Sequence, residues 1–522
     1  MLPLENITVG SLLRRSAALY ANRPAVICHD TVCTYRELDA AVDRFAAALI
    51  SAGISHGDHV GLFGEIEKES LALFFAVQRI GAVAVLLNTA LVAEELVSLI
   101  RLSDVKLLCV GQLYGRDRSP VIQRLTPLLD AARIVSISSS GGCQPLPDPL
   151  PIHCSQLRER EAAVVPTDTA TIIFTSGSTG LPKAVMTSHF SRVNSGIQQG
   201  SDFETSCEDV FCVTIPMFHC FCVSANILAA LAFGACLCIP KDRHTISILT
   251  AVQKYRCTIL HSVPSMFRAV MARPDFGSWD LSSLRVGIIG GSGYPPEDFA
   301  RIEDGFGMTL LSSLGQTEAT AGFTIGRSSD SREKRTFTVG RFMYHVEGKI
   351  VDAKTGRALP PGETGEICIR GYLVMQGFYK QPDATAHAID KDGFLHTGDL
   401  GAMDEDGYLV MKGRIKELII RGGENISPSE IETELARFPQ ISVSKVIGIP
   451  DRHYGEEACA CIVLNRKAKL SEEEIREALK EKLAPYKIPK YILFFDRFPL
   501  NATGKIKIKE LTEAAQKRLN LL

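Results

Sequence analysis

The sequence predicts an α/β fold, with a large N-terminal domain of α/β subdomains that includes a small β-rich subdomain, followed by an α+β C-terminal domain. Short apolar runs such as TIIFTSG and LRVGIIGG alternate with helical patterns such as Tyr35 to Leu49. This alternation is typical of parallel strands joined by helices. Short strand patterns separated by turn residues come later in the chain, and two further helix starts follow them. The order of these patterns gives the order of the domains.

The first chemical signal is a Gly/Ser/Thr run that directly follows a predicted strand, Thr169 to Phe174. Glycines let backbone amides converge on a phosphate, hydroxyls donate hydrogen bonds, and a lysine adds charge. The G-x-x-x-x-G-K-[ST] spacing of a Walker loop is absent, which argues against a P-loop nucleotidase. On composition alone, a flexible loop is an equal alternative to a phosphate site. The candidate phosphate-binding residues are Thr175, Ser176, Gly177, Ser178, Thr179, Gly180 and Lys183.

A change to short strand patterns marks the β-rich subdomain in the sequence. Short strands are predicted at residues 364–370, 393–400 and 408–412. Asp406 and Gly407 are predicted to form a hairpin turn. Beyond them, capping boxes at Ser427 to Glu430 and at Ser471 to Glu474 predict the starts of two helices of the C-terminal domain.

Composition and charge exclude several classes of protein. The chain has 522 residues, of which 46% are apolar and 22% are charged, so disorder or a coiled coil cannot account for it as a whole. A net charge of −2 provides no long-range field for nucleic acid or an acidic membrane, and neither is expected as a partner. The first residues lack the basic flank and apolar core of a secretory signal.

The 15 cysteines are scattered and are never spaced as Cys-x-x-Cys. We interpret them as buried thiols of a protein in a reducing cytoplasm rather than as metal ligands. The closest pairs are expected on one face of a strand, and they are Cys220/Cys222, Cys236/Cys238 and Cys459/Cys461. No charged residue occurs from Val210 to Pro240, but Pro216 and Gly234 interrupt this stretch. A buried core is therefore favoured over a membrane span.

The run TSGSTGLPK resembles the phosphate-binding signature of the adenylate-forming superfamily, which includes acyl-CoA synthetases, luciferases and peptide-synthetase adenylation domains. Further motifs similar to those of this superfamily follow in the expected order. They are Gly315 to Glu318, Thr397 to Asp399, Gly413 to Glu417, Arg421 to Ile426 and Asn501 to Lys505. Such an ordered set makes accidental similarity very improbable, and the chain is identified as a member of this superfamily. The acid and the acceptor inferred below favour its acyl-CoA synthetase (fatty-acid-CoA ligase) branch.

The resemblance implies a reaction in two halves. A carboxylate attacks the α-phosphate of ATP and expels pyrophosphate, and a thiol then displaces AMP from the acyl adenylate. Because both reactants are anions, the site needs a metal and fixed donors. By resemblance, Glu318 is the Mg²⁺ ligand, Thr317 contacts the α-phosphate, and the mobile catalytic lysine is Lys505. His219 resembles a histidine that lines the site near the carboxylate, although a core histidine is a substantial alternative.

Other positions are assigned by the same resemblance. Asp399 and Arg414 match the pair that binds the ribose hydroxyls. Lys416 matches the hinge about which a mobile last domain rotates, which divides the chain into 1–412, a hinge at 413–417, and 418–522. The segments expected around adenine and its phosphates contribute Gly291, Ser292, Leu314, Gly315 and Gln316. The glycines expected to line a CoA tunnel are Gly422 and Gly423. Leu314 departs from the family pattern, since an aromatic residue commonly stacks on adenine there.

The residues near His219 and after Glu318 indicate which acid is the substrate. Between Asp209 and Lys241 there is no acidic residue to bind the ammonium of an amino acid. An apolar wall that includes Phe218, Phe221 and Ala319 to Phe323 indicates a fatty, alicyclic or aryl acid. The expected cofactors are ATP, Mg²⁺ and CoA.

Three alternatives for the acceptor, the activity and the assembly stay open. Since the chain ends at Leu522, soon after Lys505, a soluble thiol is the simplest acceptor, although loading of a separate carrier protein is the alternative. A non-catalytic nucleotide-binding relative is a third reading, but such proteins should have lost Lys505 or Glu318. The terminal LNLL is not a peroxisomal signal, a cytoplasmic location is expected, and a homodimer stays open.

Overall fold

The computed structural model describes residues 2–113, 119–129, 134–137, 144–148, 154–175, 182–421, 424–480, 482–500 and 506–521. The chain divides into two compact units. The first unit comprises Met1–Gly293, Phe299–Glu347 and Ile369–Leu395. The second unit comprises Tyr294–Asp298, Gly348–Cys368 and His396–Leu522. Strands and helices are interleaved in both units, so the predicted α/β class is confirmed.

Two seven-stranded, mostly parallel sheets form the first unit. In hydrogen-bonding order, the strands of the first sheet are Thr309–Ser312, Val286–Ile289, Ile259–Leu260, Val210–Cys212, Cys236–Ile239, Pro24–Cys28 and Thr31–Thr34. Those of the second sheet are Gly377–Phe378, Lys183–Ser188, Thr169–Thr175, Val83–Leu86, His59–Phe63, Val105–Val110 and Ile134–Ser136. The predicted strand before the Gly/Ser/Thr run is therefore confirmed, and it lies next to an antiparallel neighbour.

Helices follow most of these strands, as the apolar periodicity predicts. The α-helices in this part of the chain are Val9–Leu19, Tyr35–Ser51, Lys68–Arg79, Ala93–Leu102, Ser119–Leu125, Cys154–Ala162, His189–Asp202, Ala229–Ala232, Thr245–Tyr255, Pro264–Met271, Pro296–Phe306, Arg332–Phe337 and Pro382–Ala388. Shorter elements are the π-helix Cys222–Leu228, the 3₁₀ turns Phe276–Ser278 and Thr317–Ala319, and the strand pair Thr324–Ile325 and Arg341–Phe342.

The uncharged stretch from Val210 to Pro240 forms core strands and a buried π-helix, as the prediction of a buried core requires. Within the described ranges, no helix is both long and apolar enough to cross a membrane. Cys236 and Cys238 are buried on one strand, as expected. The expectation of a strand for Cys220 and Cys222 is wrong, because Cys222 begins the π-helix. An i, i+2 spacing alone cannot distinguish strand from helix in an apolar run.

A four-stranded sheet contains the predicted β-rich segment, and its strands are Val346–Val351, Gly365–Gly371, Leu395–Met403 and Leu409–Arg414. The predicted hairpin turn is confirmed, since Gly407 has a φ of 82° and its amide donates to the Asp404 carbonyl at 3.0 Å.

A five-stranded sheet follows in the second unit. Its strands are Ile419–Arg421, Glu424–Ile426, Ile441–Asp451, Gly455–Leu464 and Tyr491–Phe494, and the helices beside it are Pro428–Leu435, Glu472–Lys480 and Ile508–Arg518. The capping box of Ser471 and Glu474 is confirmed, because each side chain accepts a hydrogen bond from the other residue's amide. The helix predicted after Ser427 begins at Pro428, but the predicted capping box is wrong. The Ser427 hydroxyl donates to the Lys412 carbonyl at 2.6 Å instead of capping the helix.

Candidate active site

A tight turn after the strand Thr309–Ser312 presents Thr317 and Glu318. A Cβ on Gly315 would lie 2.3 Å from the Ala321 carbonyl oxygen, so only glycine fits at this close backbone approach. The Gln316 amide donates to the same carbonyl at 3.0 Å. The turn ends at Thr320, which has a φ of 61°, an unfavourable value for a β-branched residue. The backbone of this turn is therefore held by its surroundings.

Glu318 lies beside the end of a strand of the second sheet. Its Oε1 accepts a hydrogen bond from Thr175 Oγ1 at 3.3 Å. Thr175 pairs with Lys183 on the neighbouring strand, and the Lys183 ammonium lies 4.5 Å from the centre of the Phe378 ring. A carboxylate, a hydroxyl and an ammonium group thus lie at or beside the described ends of the strands that precede and follow the Gly/Ser/Thr run in the sequence. Oxygen ligands of this kind are those that Mg²⁺ prefers.

Thr317 connects this turn to the segment that contains His219. Its hydroxyl donates to the Cys220 sulfur at 3.8 Å, and the His219 ring lies 4.7 Å from the Phe218 ring. His219 is half-buried, and its carbonyl accepts from the Val223 amide at 3.3 Å as the helical segment begins. The structure therefore brings the predicted carboxylate-side histidine and the predicted α-phosphate threonine onto adjacent segments.

The other predicted nucleotide-binding residues of the first unit lie at strand ends. Gly291 has a φ of 84° and follows the strand Val286–Ile289, and Ser292 is exposed. Leu314 is half-buried and its amide donates to Thr324 Oγ1 at 3.2 Å. Ligand sites of open α/β sheets lie at these carboxyl ends of parallel strands.

In the second unit, Asp399 and Arg414 face each other on paired strands. Arg414 Nε lies 2.7 Å from Asp399 Oδ1, and the carboxylate is fully buried whereas the arginine side chain is 53% exposed. A carboxylate beside a guanidinium can accept hydrogen bonds from two hydroxyls. Lys416 lies in the adjoining 3₁₀ turn Ile415–Glu417.

Sequence reasoning missed a side-chain pair, the buried Glu366 and the half-buried His396, that supports the Asp399 turn. Glu366 accepts from the His396 ring at 2.8 Å and from the Gly398 amide at 3.0 Å. Cys368 Sγ lies 3.5 Å from the same ring nitrogen. These three side chains form the cluster of possible metal ligands found in the described part of the chain, and their shortest separation is that of a hydrogen bond. The His396 next to Thr397 was the signal in the sequence that could have prompted a search.

His261 is a second residue that sequence reasoning missed. Its Nδ1 accepts from the Ile288 amide at 2.9 Å, and its ring stacks on Phe221 at 6.1 Å. Complete burial lowers the pKa of His261 to about 3, so the ring is neutral at physiological pH. It therefore supports the Phe221 segment by packing and hydrogen bonding rather than by charge.

Several predicted site residues lie outside the described residues. They are Ser176, Gly177, Ser178, Thr179 and Gly180 of the phosphate run, Gly422 and Gly423 of the expected CoA tunnel, and Lys505. Their assignments stay predictions from the resemblance.

Comparison with known proteins decides the family. The model of the AMP-binding enzyme family matches residues 13–379, and that of the AMP-binding enzyme C-terminal domain matches residues 430–505. The chain belongs to the AMP-binding enzyme family. The matched ranges include Thr175 and Glu318, whose geometry is described above, and they also include the predicted lysine Lys505.

Relatives in this family match the chain over almost its full length. The acyl-CoA ligase sidI of Aspergillus fumigatus is 36% identical over 98% of this chain and 91% of its own. The mitochondrial medium-chain acyl-CoA ligase ACSF2 of Danio rerio is 34% identical over 99% and 90%. Among solved structures, the anthranilate CoA ligase AuaEII in complex with anthranoyl-AMP aligns with a TM-score of 0.87 at 26% identity, over 100% of this chain and 99% of that one.

Proposed function

We propose that this AMP-binding enzyme is an ATP-dependent acyl-CoA ligase that activates an apolar carboxylic acid as an acyl adenylate. The observation that carries the proposal is the contact between Thr175 and Glu318 at 3.3 Å. With Glu318 beside the end of the strand that enters the Gly/Ser/Thr run, its carboxylate would be available there as a hard ligand. The names of the relatives, two acyl-CoA ligases and a CoA ligase with a bound acyl-AMP, support the same reaction class.

In the first half-reaction, positioning and charge neutralisation are the main tasks of the chain. The substrate carboxylate and the triphosphate repel each other, so fixed donors must hold them at bonding distance. Thr317 and Lys183 would donate to the phosphates, and Lys505 would bridge the carboxylate and the α-phosphate. Mg²⁺ held by Glu318 would supply positive charge beside the phosphates. The half-buried carboxylate of Glu318, next to a hydroxyl, is chemically suited to that ion.

The nucleoside is assigned to residues whose environments suit its groups. The buried Asp399 would accept hydrogen bonds from the ribose hydroxyls, while the exposed fork of Arg414 would donate. Gly291, Ser292 and Leu314 would flank the adenine. Since Leu314 offers an apolar face without a π-system, adenine affinity would come from packing rather than ring stacking.

The acid is proposed to be fatty, alicyclic or aryl. Phe218 is buried and Phe221 is partly buried on the segment that carries His219, which would lie near the carboxylate. The apolar residues Val223 and Phe323 are fully buried in the surrounding core. The relatives named as medium-chain acyl-CoA and anthranilate CoA ligases act on apolar or aryl acids according to their names, which agrees with this substrate class.

CoA is proposed as the acceptor, and the last part of the chain is proposed to rotate between the two half-reactions. Lys416 would be the hinge, Lys505 would serve adenylation, and Gly422 and Gly423 would give the pantetheine arm a close approach to the backbone. The proposed boundaries are 1–412, 413–417 and 418–522.

Product analysis tests the proposed function. The enzyme would be incubated with ATP, Mg²⁺ and short, medium, long and aromatic acids, with and without CoA, and the products identified by mass spectrometry. We expect an acyl-CoA together with AMP. Acyl adenylate that accumulates but is not transferred to CoA would point to a separate carrier protein, and no acid-dependent AMP with any acid would contradict the proposal in favour of a non-catalytic relative.

Two substitutions separate the half-reactions. Lys505→Ala should nearly abolish acyl-adenylate formation but spare thioester formation from supplied acyl adenylate, measured by single-turnover quench. Gly423→Leu should do the reverse, because a side chain would obstruct the pantetheine arm. Equal losses in both halves for either variant would refute the division of roles within the last part of the chain.

A further inference from the structure

Arg192 is a fully buried arginine of the first unit. It lies on the helix His189–Asp202, and its guanidinium donates to neutral groups throughout. Nε donates to the hydroxyls of Thr171 and Thr187, both at 2.9 Å. Nη1 donates to the Thr320 carbonyl at 2.9 Å and to the Ser224 hydroxyl at 3.4 Å. Nη2 has no hydrogen-bond partner among the described residues.

The charge of Arg192 is unusual because no carboxylate contacts it in the described residues. A buried cation normally has an ionised partner, since removal of a charge from water is otherwise very costly. Burial lowers the pKa of Arg192 to about 10, and the nearby Cys220 thiol offsets this only in part. The guanidinium nevertheless stays protonated at neutral pH. An ion pair therefore does not explain why a cation is buried at this position, and another role must explain it.

The four acceptors of this guanidinium lie on or directly beside four segments that carry predicted phosphate, metal and acid residues of the site. Thr171 is on the strand that ends at Thr175, and Thr187 is on the strand that begins at Lys183. Ser224 lies in the π-helix Cys222–Leu228, which follows His219 in the chain. Thr320 directly follows the 3₁₀ turn Thr317–Ala319, which contains Glu318. One rigid, planar fork therefore connects the phosphate, metal and acid sides of the candidate site.

The contact with Thr320 acts on the strained end of the Glu318 turn. Thr320 has a φ of 61°, and such a conformation in a β-branched residue persists only where neighbours hold it. The Arg192 guanidinium donates to the Thr320 carbonyl, and the Thr320 hydroxyl donates to the Leu373 carbonyl at 2.5 Å. Without the guanidinium, the backbone two residues after Glu318 would lose one of these two polar restraints.

We propose that Arg192 is a positioning residue for adenylation, whose guanidinium fixes Glu318 relative to the strand ends at Thr175 and Lys183. This inference rests on the proposed function, because it presupposes that Glu318 binds the divalent ion. Arg192 does not need to contact substrate for this role. Its loss should weaken the binding of Mg²⁺ and the alignment of the phosphates, while the fold keeps its hydrophobic core.

Two substitutions at Arg192 test the proposal, with two at Arg79 as matched controls. Arg192→Met removes the charge and the fork, and Arg192→Lys keeps a charge but cannot make the same set of hydrogen bonds. Arg79 is equally buried, but it pairs with carboxylates on helices outside the candidate site. Arg79→Met and Arg79→Lys therefore report the general effect of loss of a buried arginine.

The readouts are the half-saturating Mg²⁺ concentration for acyl-adenylate formation, kcat, KM for ATP, and the melting temperature. We expect both Arg192 variants to raise the half-saturating Mg²⁺ concentration and lower kcat by about tenfold or more, as misplacement by a fraction of an ångström does. The Arg79 variants should lower the melting temperature but leave the half-saturating Mg²⁺ concentration within about twofold of wild type. If Arg192→Met does not fold, the folded Arg192→Lys variant decides the question.

Wild-type Mg²⁺ dependence in either folded Arg192 variant would overturn the positioning role. An equal rise in the Arg79 variants would also overturn it, since the effect would then follow from lost stability alone. Failure of the proposed function is a separate result, because the wild-type enzyme itself would then form no acyl adenylate with any acid.

Discussion

Two regions of the first unit each contain a fully buried arginine, and their surroundings are opposite. Arg79 lies among helices, where Asp39 and Asp43 contact its guanidinium at 2.6 and 2.7 Å. Glu161 lies 3.6 Å from its Nε, and Arg14 shares all three carboxylates. Arg192 lies against the paired strands Thr169–Thr175 and Lys183–Ser188, and it contacts hydroxyls and one carbonyl.

The difference indicates what each arginine does. Around Arg79 the chain provides enough negative charge to neutralise the cation, so the network joins helices and contributes to stability. Around Arg192 the chain provides only neutral acceptors, so the positive charge stays uncompensated by the described residues. In a site proposed to bind two anionic substrates, a positive charge without a carboxylate partner adds favourable potential. The same residue type thus serves the fold in one region and the site in the other.

The largest expected effect is a loss of acyl-adenylate formation when the candidate site is changed. Glu318→Gln keeps the size of the side chain but removes the charge that would bind Mg²⁺, so acyl-adenylate formation should fall on the order of 10³-fold. The melting temperature should stay close to that of wild type, because the partly exposed carboxylate accepts only one described hydrogen bond, at 3.3 Å. Quenched-flow measurement of acyl-AMP checks the rate, and a variant with wild-type activity would remove Glu318 from the site.

The next largest expected effect is a loss of folding stability when the Arg79 network is changed. Arg79→Met leaves Asp39, Asp43 and Glu161 with Arg14 as their remaining described partner, so the free energy of unfolding should fall by about 3 kcal/mol. The rate of acyl-adenylate formation per folded molecule should not change. Urea unfolding followed by circular dichroism measures the loss, and a loss below about 1 kcal/mol, the range of an exposed ion pair, would contradict the structural role of this network.

The pH dependence of stability should also differ between the two regions. Burial raises the pKa of Asp43, but hydrogen bonding to Arg14 and the Arg79 charge lower it more, so the net pKa is below its ordinary value. A carboxyl with a lowered pKa stabilises the fold above its unfolded pKa, and this contribution is lost as pH falls through the folded value.

The difference in unfolding free energy between wild type and Arg79→Met should therefore narrow below about pH 4, by about 1.4 kcal/mol for each unit of pKa shift. The difference between wild type and Arg192→Met should not narrow, because no described carboxylate contacts Arg192. Urea titrations at several pH values measure both differences, and parallel curves for the two variants would contradict the comparison.

The smallest effects concern the helices that carry the two networks. Thr34 caps the helix Tyr35–Ser51, which holds Asp39 and Asp43, and Ser188 caps the helix that holds Arg192. Thr34→Ala and Ser188→Ala should each lower the free energy of unfolding by about 1 kcal/mol, as measured by thermal unfolding. Only Ser188→Ala should also lower the rate per folded molecule, and an equal rate loss in Thr34→Ala would remove the distinction between the regions.

The sequence predicted much of the fold because local signals specify it. The strand before the Gly/Ser/Thr run, the hairpin turn at Gly407 and the capping box of Ser471 all depend on neighbouring residues. The segment at Cys222 was predicted wrongly, because an apolar run without charges does not distinguish strand from helix. The Ser427 hydroxyl was also assigned wrongly, since its partner, Lys412, lies 15 residues away.

The site was predicted in part for the same reason. Glu318, Thr175 and the pair of Asp399 and Arg414 stand in continuous motifs, and the structure gives each a contact that suits its predicted role. Arg192 has no motif of its own, because its acceptors are spread from Thr171 to Thr320 and meet only in the folded chain. A single arginine in an ordinary helical pattern provides no sequence signal of such a network.

The most direct test of the central claim is acid-dependent exchange of labelled pyrophosphate into ATP by the wild-type enzyme, in the presence of Mg²⁺ and without CoA. An enzyme that forms an acyl adenylate reversibly should catalyse this exchange with an apolar acid, and no exchange should occur without the acid. Release of ADP and phosphate in place of exchange, with the acids that are converted to acyl-CoA, would contradict an acyl-adenylate intermediate.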